Sequence, residues 1–349
     1  MTPPRVDDLL RRLLVQCPPE RAASVAPIAA MYHSGLVLTG PKPRGIVRHL
    51  RKIGYPGPIL CDADRYTGRR RLHAGAGLRA GWTAEQHELG LVALTDSGYL
   101  AAGDWPGLAR LLDDAARQPP PLLVMLPLAA GWFAVPAWID RLITKLDEAR
   151  LPVAVTVVGA TFDTGYVTRG VVRLFTATVP VLLLRSDVHA LGAVCHGAHA
   201  GSVAASSGLF VPALLGHHRP AVLARIVDRT PNLAHLWPCG CVECGGAVPG
   251  DLSPDGIHRH SLHTQLTLAE RLLQPRNDVR AMTRSWRAHC GHALAVHRDV
   301  AEVMPAWPAP SALRWWREAD APPGAARIPP QNGRPARARM SPPLDRRTR

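Results

Sequence analysis

Short apolar runs alternate with amphipathic stretches along most of this chain, and that alternation limits its fold more than any other feature. "GLVLTG" (35 to 40) precedes "PRGIVRHLRKIG", and "GPILCDADRY" and "LGLVALTDSG" follow. Then "WPGLARLLDDAARQ" leads into "PLLVMLPL", "PAWIDRLITKLDEAR" into "LPVAVTVVG", "GYVTRGVVRLFTAT" into "VPVLLLRSD", and "VHALGAVCHGAHA" into "GSVAASSG". Apolar runs of this length between helical stretches are the pattern of parallel strands covered on both faces. Seven such strands are countable, and an eighth is expected near "LAHLWPC" (233 to 239). An open doubly wound sheet is the alternative, but "VLTGPKPRG" makes a poor phosphate loop after its first strand. The expected fold is therefore α/β, a (β/α)8 TIM-type barrel over residues 31–235, preceded by an N-terminal helical segment over 1–30.

If the chain is a barrel, its chemistry collects where strands end, because the loops after the strands form the active face. Asp62, Asp64, Asp96, Ser97, Asp163, Asp187, Ser202, Ser206 and Ser207 all fall there. Each Asp also has a plainer role open to it, as a helix N-cap or in an Asx-turn. That role suits Asp104 in "GDWPGLARLL" and Asp187 before "VHALGAV" better than Asp96, since no helix follows "TDSGY" directly.

The cysteines point elsewhere. At 349 residues and 47% hydrophobic composition the chain can bury a large core without staples. Its seven cysteines (17, 61, 195, 239, 241, 244, 290) are odd in number, and the opening "MTPPRVDDLLRRLLVQC" is charged and amphipathic without the apolar core of a secretory signal, so none is expected. A cytoplasmic, reduced protein is expected, in which clustered cysteines hold metal more often than they pair. "CGCVECGG" offers Cys239, Cys241 and Cys244 to one Zn²⁺, which needs a fourth N or S ligand. His258, His260 and His263 are candidates, and a redox dithiol is the alternative use of the C-x-x-C. The fold is thus extended by a C-terminal zinc-binding subdomain, with helices, over 236–318. "HCGHALAVH" (289 to 297) is read as an amphipathic helix rather than a second metal site, and Trp132, Trp138, Trp286, Trp315 and Trp316 as packing residues.

Net charge is +14, and residues 320–349 carry seven Arg against two Asp, or +5, leaving +9 on the rest. The Pro- and Arg-rich end (319–349) is expected to be a disordered basic tail. A basic body suits a nucleic-acid partner without requiring one, and "RYTGRRRLH" (65 to 73) is its densest cationic run. No run approaches the length of a membrane span, so no membrane partner is expected. A homodimer is compatible with the composition.

"LTDSG" (94 to 98) at a strand end, a barrel, and a Cys-x-Cys-x-x-Cys cluster toward the C-terminal end together resemble the tRNA-guanine transglycosylases, over roughly residues 30 to 300. The resemblance implies exchange of a guanine for a deazaguanine base through a glycosyl-aspartate, on tRNA or, in relatives, DNA. It implies that Asp96, with Ser97 and Gly98, holds the purine edge and that Gly159 receives the base. "HSL" resembles the family's H-N-L, which makes His260 the fourth zinc ligand, with Ser261 as the helix N-cap and His263 as runner-up. The family's nucleophile segment has no counterpart, "GSVAASSG" standing in its place, and its base-recognising Gln is replaced in "LVMLPL". Asp187 is then the expected nucleophile or electrostatic support. The expected function is a transglycosylase-like protein acting on guanine or deazaguanine in tRNA or DNA, with zinc as structural cofactor. The alternative is a catalytically decayed, zinc-stabilised barrel that binds nucleic acid or a partner.

Overall fold

The sheet begins at "RLLVQC", inside the segment expected to be helical. In the computed structural model, which describes residues 4–159, 162–204, 208–237, 241–246, 252–274, 278–308 and 310–320, that run is strand β1 (Arg12–Cys17). It is followed by helix α1 (Pro19–Met31), so the barrel takes in most of residues 1–30. The seven strands read from the sequence follow as β2 (Leu36–Thr39), β3 (Ile59–Asp62), β4 (Ala93–Leu94), β5 (Leu122–Ala129), β6 (Val153–Val158), β7 (Val181–Leu183) and β8 (Ala200–Ala204). The eighth strand therefore precedes the seven instead of following them. "LAHLWPC" enters a 3-10 helix (Pro231–Leu236), which no strand partner reaches among the described residues.

All eight strands are parallel, in the order β3-β2-β1-β8-β7-β6-β5-β4. Because β1 pairs with β8 from Arg12↔Ala200 to Gln16↔Ala204, the sheet curls into a nearly closed barrel. The gap lies between β3 and β4, which is only two residues long. Helices α2 (Arg44–Lys52), α3 (Ala80–Glu88), α4 (Trp105–Ala116), α5 (Pro136–Ala149), α6 (Gly165–Leu174) and α7 (Val188–Cys195) alternate with the strands.

The period of two along each strand sorts its side chains. Val15, Leu36, Leu38, Ile59, Val124, Leu126, Val153, Val155 and Leu183 pack outward beneath the helices. Leu14, Val37, Leu60, Met125, Ala154, Leu182 and Ala200 fill the barrel axis, and Leu9 closes its lower end. Two residues further along the same inward rows the chemistry changes: Leu14 gives way to Gln16, Leu60 to Asp62, Ala154 to Thr156 and Ala200 to Ser202, all buried. An apolar layer thus carries a polar layer at the C-terminal mouth.

Beyond β8, β9 (Leu209–Val211) and β10 (Gly216–His218) form an antiparallel hairpin, followed by α8 (Pro220–Arg229), α9 (Pro254–Leu272), α10 (Val279–Val303) and α11 (Ser311–Glu318). Helix α9 starts well before the position its expected cap would give. Ser253 is the N-cap, its Oγ accepting from Gly256 N at 3.1 Å, while Ser261 lies mid-helix and bonds Ile257 O at 2.8 Å. The tryptophans are packing residues: Trp286 sits where a Cβ on Gly192 would approach within 2.8 Å, and Trp316 is fully buried. Among the described residues no helix is long and apolar enough to cross a membrane.

Candidate functional site

The polar layer is one connected network. Gln16 Nε2 donates to Thr39 Oγ1 at 3.0 Å and to Asp62 Oδ2 at 3.2 Å, while its Oε1 accepts from Ser202 Oγ at 2.8 Å and Arg185 N at 3.1 Å. Tyr66 donates to Asp62 Oδ2 at 2.6 Å, and Arg185 bonds both Asp64 and the Tyr66 oxygen. Burial pushes the Asp62 carboxyl above its usual range, against Tyr66, the Asp64 N–H and Arg185, which favour the anion. Burial likewise carries Tyr66 well above the ordinary phenol. For Arg185 burial acts downward, and Tyr66, Asp62 and Asp64 outweigh it, so the guanidinium stays charged. Ser202, on the strand that would carry the family's nucleophile, is spent inside this network; Ser206 and Ser207 lie outside the described residues.

Asp96 is also fully engaged. Its carboxylate, 1% exposed, accepts from Arg65 Nη1 at 2.6 Å, from Arg79 Nε at 2.5 Å and from Arg79 N at 3.0 Å. It pins both ends of the loop after β3, the same loop that holds Arg69 and Arg70 exposed and Arg71 stacked 4.0 Å over the Tyr99 ring. Ser97 shares its hydroxyl with Thr95 at 2.8 Å and is buried. Gly98 is required by a close approach: a Cβ there would stand 2.4 Å from the His73 carbonyl oxygen. Gly159, at the end of β6, has φ of 79° and open space beside it.

Asp187 differs from its neighbours. Asp104 caps α4, its Oδ1 accepting from Gly107 N at 2.9 Å. Asp187 stands at the equivalent place before α7 and makes no cap bond. Its φ of 52° and ψ of −143° lie where residues with a side chain are strained, and Arg185 (φ 55°) and Asp64 (φ 53°) share the left-handed region at the same mouth. The Asp187 side chain is 43% exposed, and its Oδ2 accepts from His217 Nδ1 of β10 at 3.0 Å. Asp187 Oδ1 and the neighbouring Ser186 Oγ are buried with no partner among the described residues. Positive-φ residues thus follow both β3 (Asp64) and β7 (Arg185 and Asp187) at this mouth.

A second constellation lies beside the hairpin. Cys241 Sγ is 3.4 Å from Cys244 Sγ and 3.4 Å from His260 Nδ1, and the three atoms all lie within 4.8 Å of one another. His260 Nε2 faces the Phe210 carbonyl at 3.1 Å, so a hydrogen there leaves the Nδ1 lone pair aimed at the thiols. Cys239 lies outside the described residues. His263 turns away, bonding the Tyr32 hydroxyl at 3.1 Å through Nδ1 and facing Glu243 at 3.5 Å through Nε2. His289 bonds Ser285 O and Cys290 is fully buried, and among the described residues no second cluster of this kind forms.

The chain matches no family model and no curated protein. The likeness to the transglycosylases therefore rests on the quoted residues and on a barrel of the expected kind. Several mouth residues escaped the sequence reading, namely Gln16, Arg79, Arg185 and His217, while Arg65 and Tyr66 were noted only as the start of the cationic run "RYTGRRRLH". Two signals were present, the polar Gln16 closing the apolar run "RLLVQC" and Tyr66 four residues after its partner Asp62; the partners of Arg65, Arg79, Arg185 and His217 lie much further along the chain.

Proposed function

We propose that the chain is a transglycosylase-like enzyme acting on guanine or deazaguanine bases in tRNA or DNA, with Asp187 as the carboxylate that meets the sugar. The state of Asp187 carries this reading. Its side chain is 43% exposed, against 29% for Asp64 and 1% for Asp62 and Asp96, while Asp163, also exposed, is taken up by Ser311 Oγ of α11 at 3.3 Å. Asp62, Asp64 and Asp96 are bonded to arginine or to Tyr66, while Asp187, on a positive-φ backbone like that of Asp64, has His217 as its one side-chain partner among the described residues. Breaking a glycosidic bond needs a carboxylate that can bond to, or stabilise, an oxocarbenium-like carbon. In this reading Asp187 Oδ bonds to the anomeric carbon, the carbon–nitrogen bond breaks with its electron pair going to the base, and the incoming base reverses the step. Asp96 acts through Arg65 and Arg79, shaping the Arg-rich loop, and Gly159 leaves room at the mouth.

Cys241, Cys244 and His260, with Cys239, fit a structural zinc site. A tetrahedral ion with Zn–S bonds of about 2.3 Å sets its ligand atoms about 3.5 to 3.8 Å apart, near the separations between these donors. Such an ion would tie the segment around residue 241 to α9 and, through Phe210, to the hairpin that carries His217.

A second reading, a zinc-stabilised barrel that binds nucleic acid or a partner without turnover, is favoured by β8, where Ser202 is locked to Gln16. Labelled-guanine exchange on bulk tRNA and on DNA separates the two, alongside calorimetry with purines and deazapurines. Exchange that Asp187→Asn abolishes supports the enzyme. Binding without exchange leaves the second reading, and no binding of any base removes the base-directed chemistry.

A further inference from the structure

The carboxylate of Asp187 sits at the end of a chain of hydrogen bonds that starts in the backbone of α9. Gln265, 1% exposed, donates from Nε2 to the Ser261 carbonyl at 3.1 Å. That bond decides the orientation of the amide, because turning it over would set two acceptor oxygens against each other. The same Nε2 lies 3.4 Å from His217 Nε2, and an amide NH2 has a second hydrogen to give. Facing a donor, His217 Nε2 must present its lone pair. The ring hydrogen then belongs on Nδ1, which is the atom 3.0 Å from Asp187 Oδ2. The Phe210 ring, 5.2 Å from that of His217, packs beside it. Titratable groups set against His217 are Asp187, from the loop after β7, and His218, its neighbour on β10.

We propose that His217 and Gln265 are positioning residues for Asp187: the Ser261 carbonyl orients the Gln265 amide, the amide fixes His217 as its Nδ1–H tautomer, and that N–H holds the carboxylate of a strained residue at the barrel mouth. The role given to Asp187 rests on the reading above, whereas the tautomer does not. The consequence is that α9, which also supplies His260 of the cysteine–histidine cluster, sets the geometry of the mouth from outside the barrel. Gln265 Oε1, buried with no partner among the described residues, is the cost of this arrangement and the reason an apolar replacement is tolerable there.

The test uses the full chain, labelled with ¹⁵N at histidine and free of substrate. Two-bond ¹H–¹⁵N correlation spectra, with His217 assigned through His217→Asn, are expected to show a protonated Nδ1 and a bare Nε2. Gln265→Leu is expected to populate the Nε2–H form, and Gln265→Glu, which puts an acceptor oxygen opposite Nε2 while Asp187 still faces Nδ1, to protonate both ring nitrogens. A wild-type ring protonated at Nε2 alone, or a pattern indifferent to both Gln265 variants, overturns the proposal. In the exchange assay His217→Ala is expected to lower kcat by about 100-fold with KM little changed, as for a displaced reacting group. His217→Asn, whose amide N–H replaces Nδ1–H, is expected to recover most of that loss. Equal losses in the two variants overturn the positioning role. An Nδ1–H tautomer in a protein that exchanges no base leaves the hydrogen-bond chain standing and removes the reading of Asp187 instead.

Discussion

Asp96→Asn separates two roles for one carboxylate, as a ligand for a purine edge or as the anchor of a loop. In the structure Asp96 Oδ2 takes both Arg65 Nη1 and Arg79 Nε, at 2.6 and 2.5 Å, and Oδ1 takes Arg79 N. Asparagine can keep one acceptor oxygen, but its NH2 then faces two guanidinium donors. Arg65 is 14% exposed and loses its counter-charge in place, whereas Arg79, 46% exposed, can turn to water. Breaking a fully buried ion pair costs about 3 to 5 kcal/mol, and the escape of Arg79 sets this case at the lower end, about 3 kcal/mol. For a domain of this size roughly 2 °C accompanies each kcal/mol, so the thermal midpoint should fall by about 6 °C. Differential scanning calorimetry on wild type, Asp96→Asn, Arg79→Gln and the double variant gives the coupling directly, expected to exceed about 1 kcal/mol. An unchanged midpoint together with lost purine binding would refute the anchor and return Asp96 to the ligand.

Purified protein is expected to hold about one zinc per chain and Cys241→Ser to lose it along with C-terminal stability; elemental analysis of reduced protein without zinc counts against the site. Arg69→Gln and Arg70→Gln, on the exposed loop pinned by Asp96, should each flatten the log–log salt dependence of nucleic-acid affinity by roughly 0.7 to 0.9, and binding indifferent to salt would point to a protein partner instead. Burial pushes His189 to about 4, against Asp187 and Asp163, and burial with His297 and His217 pushes His218 to about 4. Both are depressed from an unfolded value of 6.5, so their share of stability is whole above pH 6.5 and drains away as pH falls toward 4. The midpoint of thermal unfolding should drop through that window, less steeply in His218→Gln, and identical slopes would contradict it.

Local pattern was enough for the parts of this protein that local pattern encodes. Seven strands and the alternation that makes a parallel barrel were legible because a strand buried on both faces must be apolar along its length. The cysteine–histidine cluster was legible for its two close cysteines, and of the three candidate histidines His260, favoured for "HSL" over His263, is the one beside them, although Ser261 is mid-helix and not the cap expected there. The first strand was hidden because "RLLVQC", behind two arginines and ahead of a true helix, fits an amphipathic helix as readily as a strand. Pairing with β2 on one side and with β8, almost two hundred residues away, on the other decides between them. The same distance explains the mouth. Whether an aspartate caps a helix, anchors a loop or stands ready to react depends on what faces it. Asp104 finds its partner three residues on, Asp96 finds arginines 17 and 31 residues back, and Asp187 finds a histidine 30 residues ahead. Sequence supplied the carboxylates, and the tertiary fold, with the hairpin beside the barrel as well as the barrel's own loops, gave Asp96 and Asp187 their partners.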